Sequence, residues 1–257
     1  MEEAAQRLYK EWFVDLRFPG YENTPIVDGV PQGWKNGSLG DIALFKRGKT
    51  ITKDQTSVGE IPVVAGGLEP AYYHNQSNTS SPVITVSGSG ANAGFTRMHH
   101  TNIWASDCSF VDKQSTSYIY FTFCVLKNKK SDIDILQKGA AQPHVYAKDI
   151  NALEIIIPEA DILARFENTV SPYFEKVKSL LVQIELSKQA RDRLLPKLMN
   201  GEIDPSDSNQ AKILQHSPSL SYDEFLSELG LAARAKSISD ADLKAMYEAY
   251  LDDDATE

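Results

Sequence analysis

Cysteine is scarce in this chain, and long apolar runs are absent. The 257 residues include two cysteines, Cys108 and Cys124, which are too few for a disulfide framework. We expect both to be buried free thiols, as in a protein of the reducing cytoplasm. No apolar run approaches the roughly 20 residues that span a bilayer. Glu2 and Glu3 stand near the start without an apolar core behind them, so we expect no secretory signal. These absences predict a cytoplasmic protein without a membrane segment.

Motifs for catalysis, nucleotide binding and metal binding are also missing. The sequence has no N/D-P-P-Y/F motif for amino methylation, no glycine loop for S-adenosylmethionine, no Ser-His-Asp context and no P-D…E-x-K nuclease core. The segment FKRGKTITK (45–53) lacks the first glycine of a P-loop. No helix pattern follows SGSGANAG (87–94), so it is not a dinucleotide fingerprint. His99, His100 and Cys108 lack the second close ligand pair that a zinc site needs. We predict a chain without catalytic, cofactor or metal residues.

The net charge of −9 is unevenly distributed. Residues 202–257 hold 13 acidic and 4 basic side chains, whereas residues 34–150 hold 12 basic and 9 acidic ones. The acidity therefore lies mainly at the end of the chain, and the central segment is mildly basic. Charge distribution matters more than total charge for contact with phosphates. A surplus of this size also occurs in domains that never meet nucleic acid.

Local patterns divide the chain into a short helix, a strand-rich domain and a long helix. Ala5, Leu8 and Trp12 recur at helical spacing and predict a helix over 2–14. Three prolines and three glycines over residues 18–34 predict a linker or extended wrap. Turn-forming residues then separate four β-type runs, at 61–65, 81–87, 117–126 and 153–158. One short helix is expected within 132–138.

The aromatic residues of this domain favour a buried position over a stacking platform. In the run 117–126 they form two pairs whose members are spaced two apart, and aromatic residues at that spacing in a strand usually line a buried face. The set comprises Trp34, Trp104, Tyr118, Tyr120, Phe121 and Phe123. We predict that they belong to the core.

Beyond Asp161 the apolar period becomes that of a coiled-coil helix. Residues 166–195 predict a rod of about 45 Å at 1.5 Å per residue. Pro172 either kinks its first turns or marks its start, and Gly201 is a plausible stop. The seam needs a partner: the N-terminal helix, a second copy or another subunit, unless the helix folds back on its own domain. The seam consists of Phe166, Val170, Tyr173, Val177, Leu180, Ile184, Leu194 and Leu198, with polar breaks at Ser187 and Arg191.

Six motifs, in this order, resemble the specificity subunit of type I restriction–modification systems. They are P-x-G-W (31–34), L-G-D-I (39–42), a S-G-x-G loop (87–90), GAAQPHV (139–145), I-I-I-P (155–158) and LLPKLMNGEI (194–203). The segment EEAAQRLYKEWFVDLRFPG (2–20) is similar to the stretch that joins a conserved helix of that family to a recognition domain. The resemblance covers about residues 2–204, and GAAQPHV and LLPKLMNGEI are its most specific parts.

The residue patterns and the resemblance together predict an α+β fold with four regions, of which the last lies beyond the resemblance. Residues 1–18 form an N-terminal helix packed on the helical spacer, and 19–158 form a DNA-binding target recognition domain. Residues 159–204 form a long coiled-coil-type helix for dimerisation and for docking the methyltransferase subunit. Residues 205–257 form an acidic helical tail that is either a small appendage or partly disordered. Because the family usually carries two recognition domains, this chain resembles a half-length member whose two copies pair head to tail.

DNA recognition needs phosphate anchors and base readers. The basic loop in FKRGKTITK (45–53) is either a solvated surface or a contact to DNA phosphates, and the resemblance favours the contact. The glycine-rich loop is a tight turn by itself, but Asn pairs with adenine in the major groove. For the family-linked residues of GAAQPHV, DNA contact and a purely structural role are equally expected. The predicted DNA-binding residues are Lys46, Arg47, Lys49 and Lys53; Ser87, Ser89 and Asn92; Arg97, His99 and His100; and Gln142 and His144.

The resemblance also implies partners. They are double-stranded DNA, a methyltransferase subunit that holds the S-adenosylmethionine, a second copy of the chain and, where one exists, a restriction subunit. The chain itself is then a non-catalytic subunit that binds no cofactor. Two other interpretations remain open: a recognition fragment of a fused type II restriction–methylation enzyme, and a structural scaffold. A DNA reader loses affinity steeply with salt, and a scaffold does not.

Overall fold

The computed structural model describes residues 1–137 and 143–201. The chain divides into two units, Met1–Glu175 and Lys176–Glu257. The first unit is a mixed α+β domain rich in short strands, as predicted. The tail over 205–257 lies outside the described residues, and the domain boundaries at 18, 158 and 204 stay predictions. No helix among the described residues is long and apolar enough to cross a membrane.

The chain starts with helix α1 (Glu2–Tyr9), which continues as a π-helical turn over Lys10–Val14. The helix predicted over 2–14 is thereby confirmed. Its apolar side carries Ala5 and Tyr9, which are buried. The strands β1 (Ile26–Val27) and β2 (Val30–Pro31) pair with each other. Strand β3 (Lys35–Ser38) follows and pairs with a strand near the end of the domain.

An antiparallel four-stranded sheet organises the domain. Its spatial order is β4 (Lys46–Arg47), β10 (Cys108–Asp112), β7 (Val83–Ser87) and β8 (Thr96–His99). All five residues of β7 are buried, as expected for a central strand covered on both faces. A three-stranded sheet packs nearby in the order β6 (Tyr72–His74), β5 (Ile61–Val64) and β9 (Trp104–Ala105). The strands predicted at 61–65 and 81–87 are confirmed as β5 and β7.

The strand predicted at 117–126 is wrong, because this segment forms helix α2 (Ile119–Asn128). The eight residues from Ile119 to Leu126 are all buried, so the helix shows no polar side and its period cannot be read from the sequence. The aromatic residues at 120, 121 and 123 are nevertheless core residues, as is Trp34. Tyr118 and Trp104 are only partly buried.

Three further elements complete the domain. Helix α3 (Lys130–Ile135) begins two residues before the predicted short helix, and α4 (Ala147–Asn151) follows the undescribed gap. Strand β11 (Glu154–Ile157) confirms the strand predicted at 153–158, and it pairs antiparallel with β3. Both cysteines are buried free thiols, as predicted. Burial raises the pKa of Cys108 to about 12.

Helix α5 (Ala160–Met199) continues through Pro172 and Pro196 and ends just before Gly201, whose φ of 76° fits the predicted stop. In the first unit its buried side carries Phe166, Val170 and Phe174. The predicted seam member Tyr173 is only partly buried, because the straight α-helical period brings Phe174 to the core instead.

The side chain of Phe166 is the centre of an aromatic cluster in the first unit. Its ring centroid lies 5.8 Å from that of Trp12, 5.1 Å from that of Phe13 and 6.1 Å from that of Phe121. Phe166 has no exposed surface. The start of the chain and the first part of α5 are therefore joined through shared aromatic packing.

The carboxylate of Glu167 caps the N-terminus of α2. It accepts a hydrogen bond of 2.6 Å from the backbone N–H of Phe121 and one of 3.4 Å from that of Tyr120. Burial raises the pKa of Glu167 from 4.5 to about 7, although the two N–H donors act in the opposite direction. The pKa of Glu167 is therefore higher in the folded state than in the unfolded state. Its contribution to the free energy of unfolding is fully present below about pH 4.5 and is lost as the pH rises through 7.

Glu167→Gln should remove this pH dependence. Between pH 4.5 and 8, the free energy of unfolding of the variant relative to the wild type should rise by up to about 3 kcal/mol. Urea unfolding at several pH values measures the difference. The matched control is Glu11→Gln, which removes an exposed carboxylate elsewhere in the first unit. If the difference in free energy of unfolding between the variant and the wild type stays constant with pH, the pKa of Glu167 is not raised by folding.

Candidate nucleic-acid interface

Several predicted DNA-binding residues lie at one end of the four-stranded sheet. The antiparallel register pairs Cys108 with Ser87, Ser109 with Arg47, and Val86 with Thr96. The loop after β4, the loop between β7 and β8, and the loop before β10 therefore emerge from the same end. We call these segments, residues 46–53, 87–95 and 104–107, together with 66–70 and 143–146, the loop surface.

Asp107 connects two of these loops. Its Oδ2 accepts a hydrogen bond of 2.6 Å from Ser89 Oγ, and its Oδ1 lies 3.9 Å from Arg47 Nη2. Its backbone carbonyl accepts a hydrogen bond of 3.3 Å from Gly88 N–H. The predicted contacts Arg47 and Ser89 are thus held on either side of one carboxylate. No pattern in the sequence pointed to Asp107.

The second half of the GAAQPHV motif is bound to the glycine-rich loop. Ser89 and His144 form an isolated antiparallel bridge, Gly90 N–H donates to Pro143 O at 3.1 Å, and Val145 N–H donates to Gly88 O at 3.1 Å. The motif therefore fixes the shape of this loop whether or not it contacts DNA. Gln142 lies outside the described residues.

An aromatic pair extends the loop surface beyond His144. The His144 ring stacks on Tyr146, with centroids 6.0 Å apart and planes 12° apart. Tyr146 is 44% exposed, and Lys148 Nζ lies 5.9 Å from its ring centroid. The sequence analysis missed both residues, although Tyr146 directly follows the motif that carries the family resemblance.

The basic loop, residues 46–53, is largely exposed, and hydrogen bonds of its backbone hold it in place. Lys49 N–H donates to Ala105 O at 2.9 Å, and Trp104 Nε1 donates to Lys49 O at 2.8 Å. A side chain at Gly48 would overlap the Ser106 carbonyl oxygen, so glycine is needed for this close approach. Within the described part of the chain, Lys46, Lys49 and Lys53 have no carboxylate partner within 4.0 Å. Their charges are therefore available to a ligand.

The remaining predicted contacts occupy different surroundings. Ser87 is buried and donates from Oγ to Gly66 O at 3.0 Å, while Asn92 ends a short turn and is half-exposed. His99 lies near the other end of β8, with Nε2 2.9 Å from Thr85 Oγ1. Burial, and secondarily the charges of Arg97 and His100, lowers the pKa of His99 to about 4, so it is neutral at pH 7.

His100 is adjacent to the long helix. Its ring centroid lies 6.4 Å from that of Phe174. The structure thus brings Arg47, Ser89 and His144 together with the loop lysines, and it does not bring His100 into that group. Over the residues described, no group of three or more His, Cys, Asp or Glu side chains has the geometry of a metal site.

Comparison with known proteins agrees with these features. The family model for the type I restriction modification DNA specificity domain matches residues 31–178, more than half of the chain. The type I restriction enzyme MjaIX specificity subunit of Methanocaldococcus jannaschii is 28% identical over 234 residues, covering 79% of this chain and 53% of the relative. The type I restriction enzyme HindI specificity subunit of Haemophilus influenzae is 27% identical over 199 residues, covering 68% and 42%.

A solved structure supports the same fold. The crystal structure of the type I restriction–modification system S subunit from M. genitalium matches with a TM-score of 0.54 at 19% identity, over 74% of this chain and 50% of that chain. The present chain spans about half the length of the curated relatives it matches. The family resemblance drawn from the motifs is confirmed: the chain belongs to the family of the type I restriction modification DNA specificity domain.

Proposed function

We propose that this chain is a non-catalytic DNA-binding subunit that directs a partner methyltransferase to a specific sequence. One observation carries the proposal: the loop surface joins Arg47, Ser89 and His144, which are far apart in the sequence, beside three lysines that have no carboxylate partner among the described residues. Exposed cations suit phosphates, and short polar side chains on fixed loops suit base edges. Backbone bonds between the loops preorganise the surface, which lowers the entropy cost of binding.

Selection of duplexes from a random library by the purified chain tests the proposal. We expect enrichment of a defined sequence, with an affinity that falls steeply as salt is raised because counterions are released from the phosphates. Equal, weak binding to selected and random duplexes would overturn it and favour the scaffold interpretation. Co-purification with a methyltransferase encoded on a separate chain would argue against a fragment of a fused type II enzyme.

The chemistry is assigned to other chains. S-adenosylmethionine would be bound by the methyltransferase subunit, and any cleavage would belong to a restriction subunit. Relatives named as specificity subunits support this division. Mapping of methylated bases in cells that express this chain with its methyltransferase gives the target directly.

The second half of α5 supports pairing with a second copy. Within the second unit, Leu180, Ile184 and Leu198 recur at helical spacing and are 39%, 51% and 39% exposed. Val177 and Leu194, at the same spacing, are partly buried. An apolar stripe of this kind is stabilised when another helix covers it. Two identical recognition domains would read two identical, inverted half-sites.

Leu180→Lys combined with Ile184→Lys should convert a dimer into a monomer, because the charges cannot be buried in a helix seam. Sedimentation velocity over a concentration series measures this change. The control is Glu185→Lys combined with Gln189→Lys, which adds the same residues on another side of the helix and should leave the dimer intact. A wild type that is monomeric at all concentrations, or a Leu180 and Ile184 variant that remains dimeric, would contradict self-pairing.

A further inference from the structure

Arg97 occupies an exposed edge of the four-stranded sheet. Strand β8 is the last strand of that sheet, and along it Thr96 and Met98 are buried while Arg97 is exposed. The alternation places Arg97 on the side away from α2, facing the segment 66–70 of the loop surface.

The guanidinium of Arg97 is anchored on one side only. Its Nη1 donates a hydrogen bond of 2.5 Å to the backbone carbonyl of Leu68. That segment is itself held, since Gly66 O accepts from Ser87 Oγ and Ala71 N–H donates to Val63 O at 2.9 Å. Among the residues that the structure covers, no carboxylate lies within 4.0 Å of the Arg97 guanidinium, and the bond to Leu68 is its one hydrogen bond.

Apolar side chains border this guanidinium. Leu68 is 46% exposed and Phe95 is 39% exposed. Together with Arg97 they line a cleft of about 70 Å³ whose other walls include Glu69 and His99. Because His99 is neutral at pH 7, it neither competes for an anion nor attracts one. The cleft thus presents one anchored, forked donor beside two apolar side chains, and its remaining walls are partly polar.

We infer that Arg97 reads a guanine from the major groove, a proposal that rests on the DNA-binding function proposed above. The O6 and N7 of guanine are paired acceptors that match two parallel N–H donors of an arginine. A lysine supplies the charge without the fork. An anchored guanidinium loses little side-chain entropy when it binds, and its apolar neighbours exclude water from the contact. A solvated lysine of the basic loop lacks these features, which is why Arg97 is assigned to a base and the loop lysines to phosphates.

The experiment uses the duplex selected by the wild-type chain and variants of it in which each guanine is replaced, one at a time, by 7-deazaguanine. This analogue lacks the N7 acceptor and retains the base pair. We expect one position at which the wild type loses roughly tenfold or more in affinity. Arg97→Lys should bind the unmodified duplex correspondingly more weakly and show no further loss at that position. Arg97→Met is the second variant, and circular dichroism checks that both are folded.

Arg17→Lys is the matched control, because Arg17 is an exposed arginine outside the loop surface and outside β8. It should keep the full sensitivity to 7-deazaguanine. If Arg97→Lys retains that sensitivity, or if Arg97→Met weakens all duplexes to the same extent, then Arg97 contacts a phosphate and the inference is wrong. Absence of any sequence preference in the wild type would instead refute the proposed function itself.

Discussion

Replacement of Lys46, Lys49 and Lys53 by glutamine is expected to lower the affinity for duplex DNA roughly a hundredfold at about 0.15 M salt. Each neutralised phosphate contributes about −0.9 to the slope of log affinity against log salt. Three lost contacts should therefore reduce the magnitude of that slope by close to three. The loss should be similar for cognate and random duplexes, because phosphate contacts carry no sequence information.

The structure favours these three lysines because no carboxylate of residues 1–137 or 143–201 lies within 4.0 Å of them. All three are exposed, and the backbone around Lys49 is held by bonds to Ala105 and Trp104, so glutamine should not disturb the loop. Fluorescence anisotropy of a labelled duplex over a salt series measures both affinity and slope.

The matched control is the triple replacement of Lys35, Lys113 and Lys176 by glutamine. These lysines are also exposed, and Lys113 lies beyond the opposite end of the four-stranded sheet, next to Asp112. This variant has the same change in net charge and should keep most of its affinity. If the two triple variants weaken binding equally, the effect is one of net charge and the loop surface is not the DNA interface.

Phe166→Ala should destabilise the first unit by about 4 kcal/mol. The side chain is fully buried and contacts the aromatic rings of Trp12, Phe13 and Phe121, so alanine leaves a large cavity and removes edge-to-face contacts. The free energy of unfolding of a natural domain is only about 5–15 kcal/mol, so the variant should unfold at much lower urea concentrations than the wild type. The fluorescence of Trp12 and Trp34 reports the midpoint.

Phe95→Ala is the control for the loss of a phenylalanine at a more exposed site. Its side chain is 39% exposed, and we expect a change below about 1 kcal/mol. The loss of stability for Phe166→Leu should lie between those for Phe95→Ala and Phe166→Ala. A loss of less than about 1 kcal/mol for Phe166→Ala would mean that α1 and α5 are not joined by this cluster.

The elements with a clear period could be predicted from the sequence. Strands β5, β7 and β11 are short apolar runs between turn residues, and helix α1 carries apolar residues at helical spacing. Helix α2 could not be predicted, because a run that is buried on every side has no polar face to show its period. The N-terminus of α2 is capped by Glu167, 46 residues away from Phe121, and no local pattern contains that information.

The candidate site was predictable in composition and not in arrangement. The lysines of 46–53 stood out because they are close together, and the loop after β7 stood out because it is rich in glycine. Both features can be read from consecutive residues. That Ser89 bonds to Asp107 and pairs with His144 depends on the register of distant segments. The neutral state of His99 likewise follows from burial, which the sequence does not report.

Motifs, periods and stop residues are local, so the sequence was enough to predict the family, the succession of a short helix, a strand-rich domain and a long helix, and the end of that helix near Gly201. The helical state of α2, the shared surface of Arg47, Ser89 and His144, and the bond from Arg97 to Leu68 could be read only from the folded structure. These features depend on contacts between segments from 18 to 60 positions apart along the chain, and such contacts form only once the sheets and helices have packed.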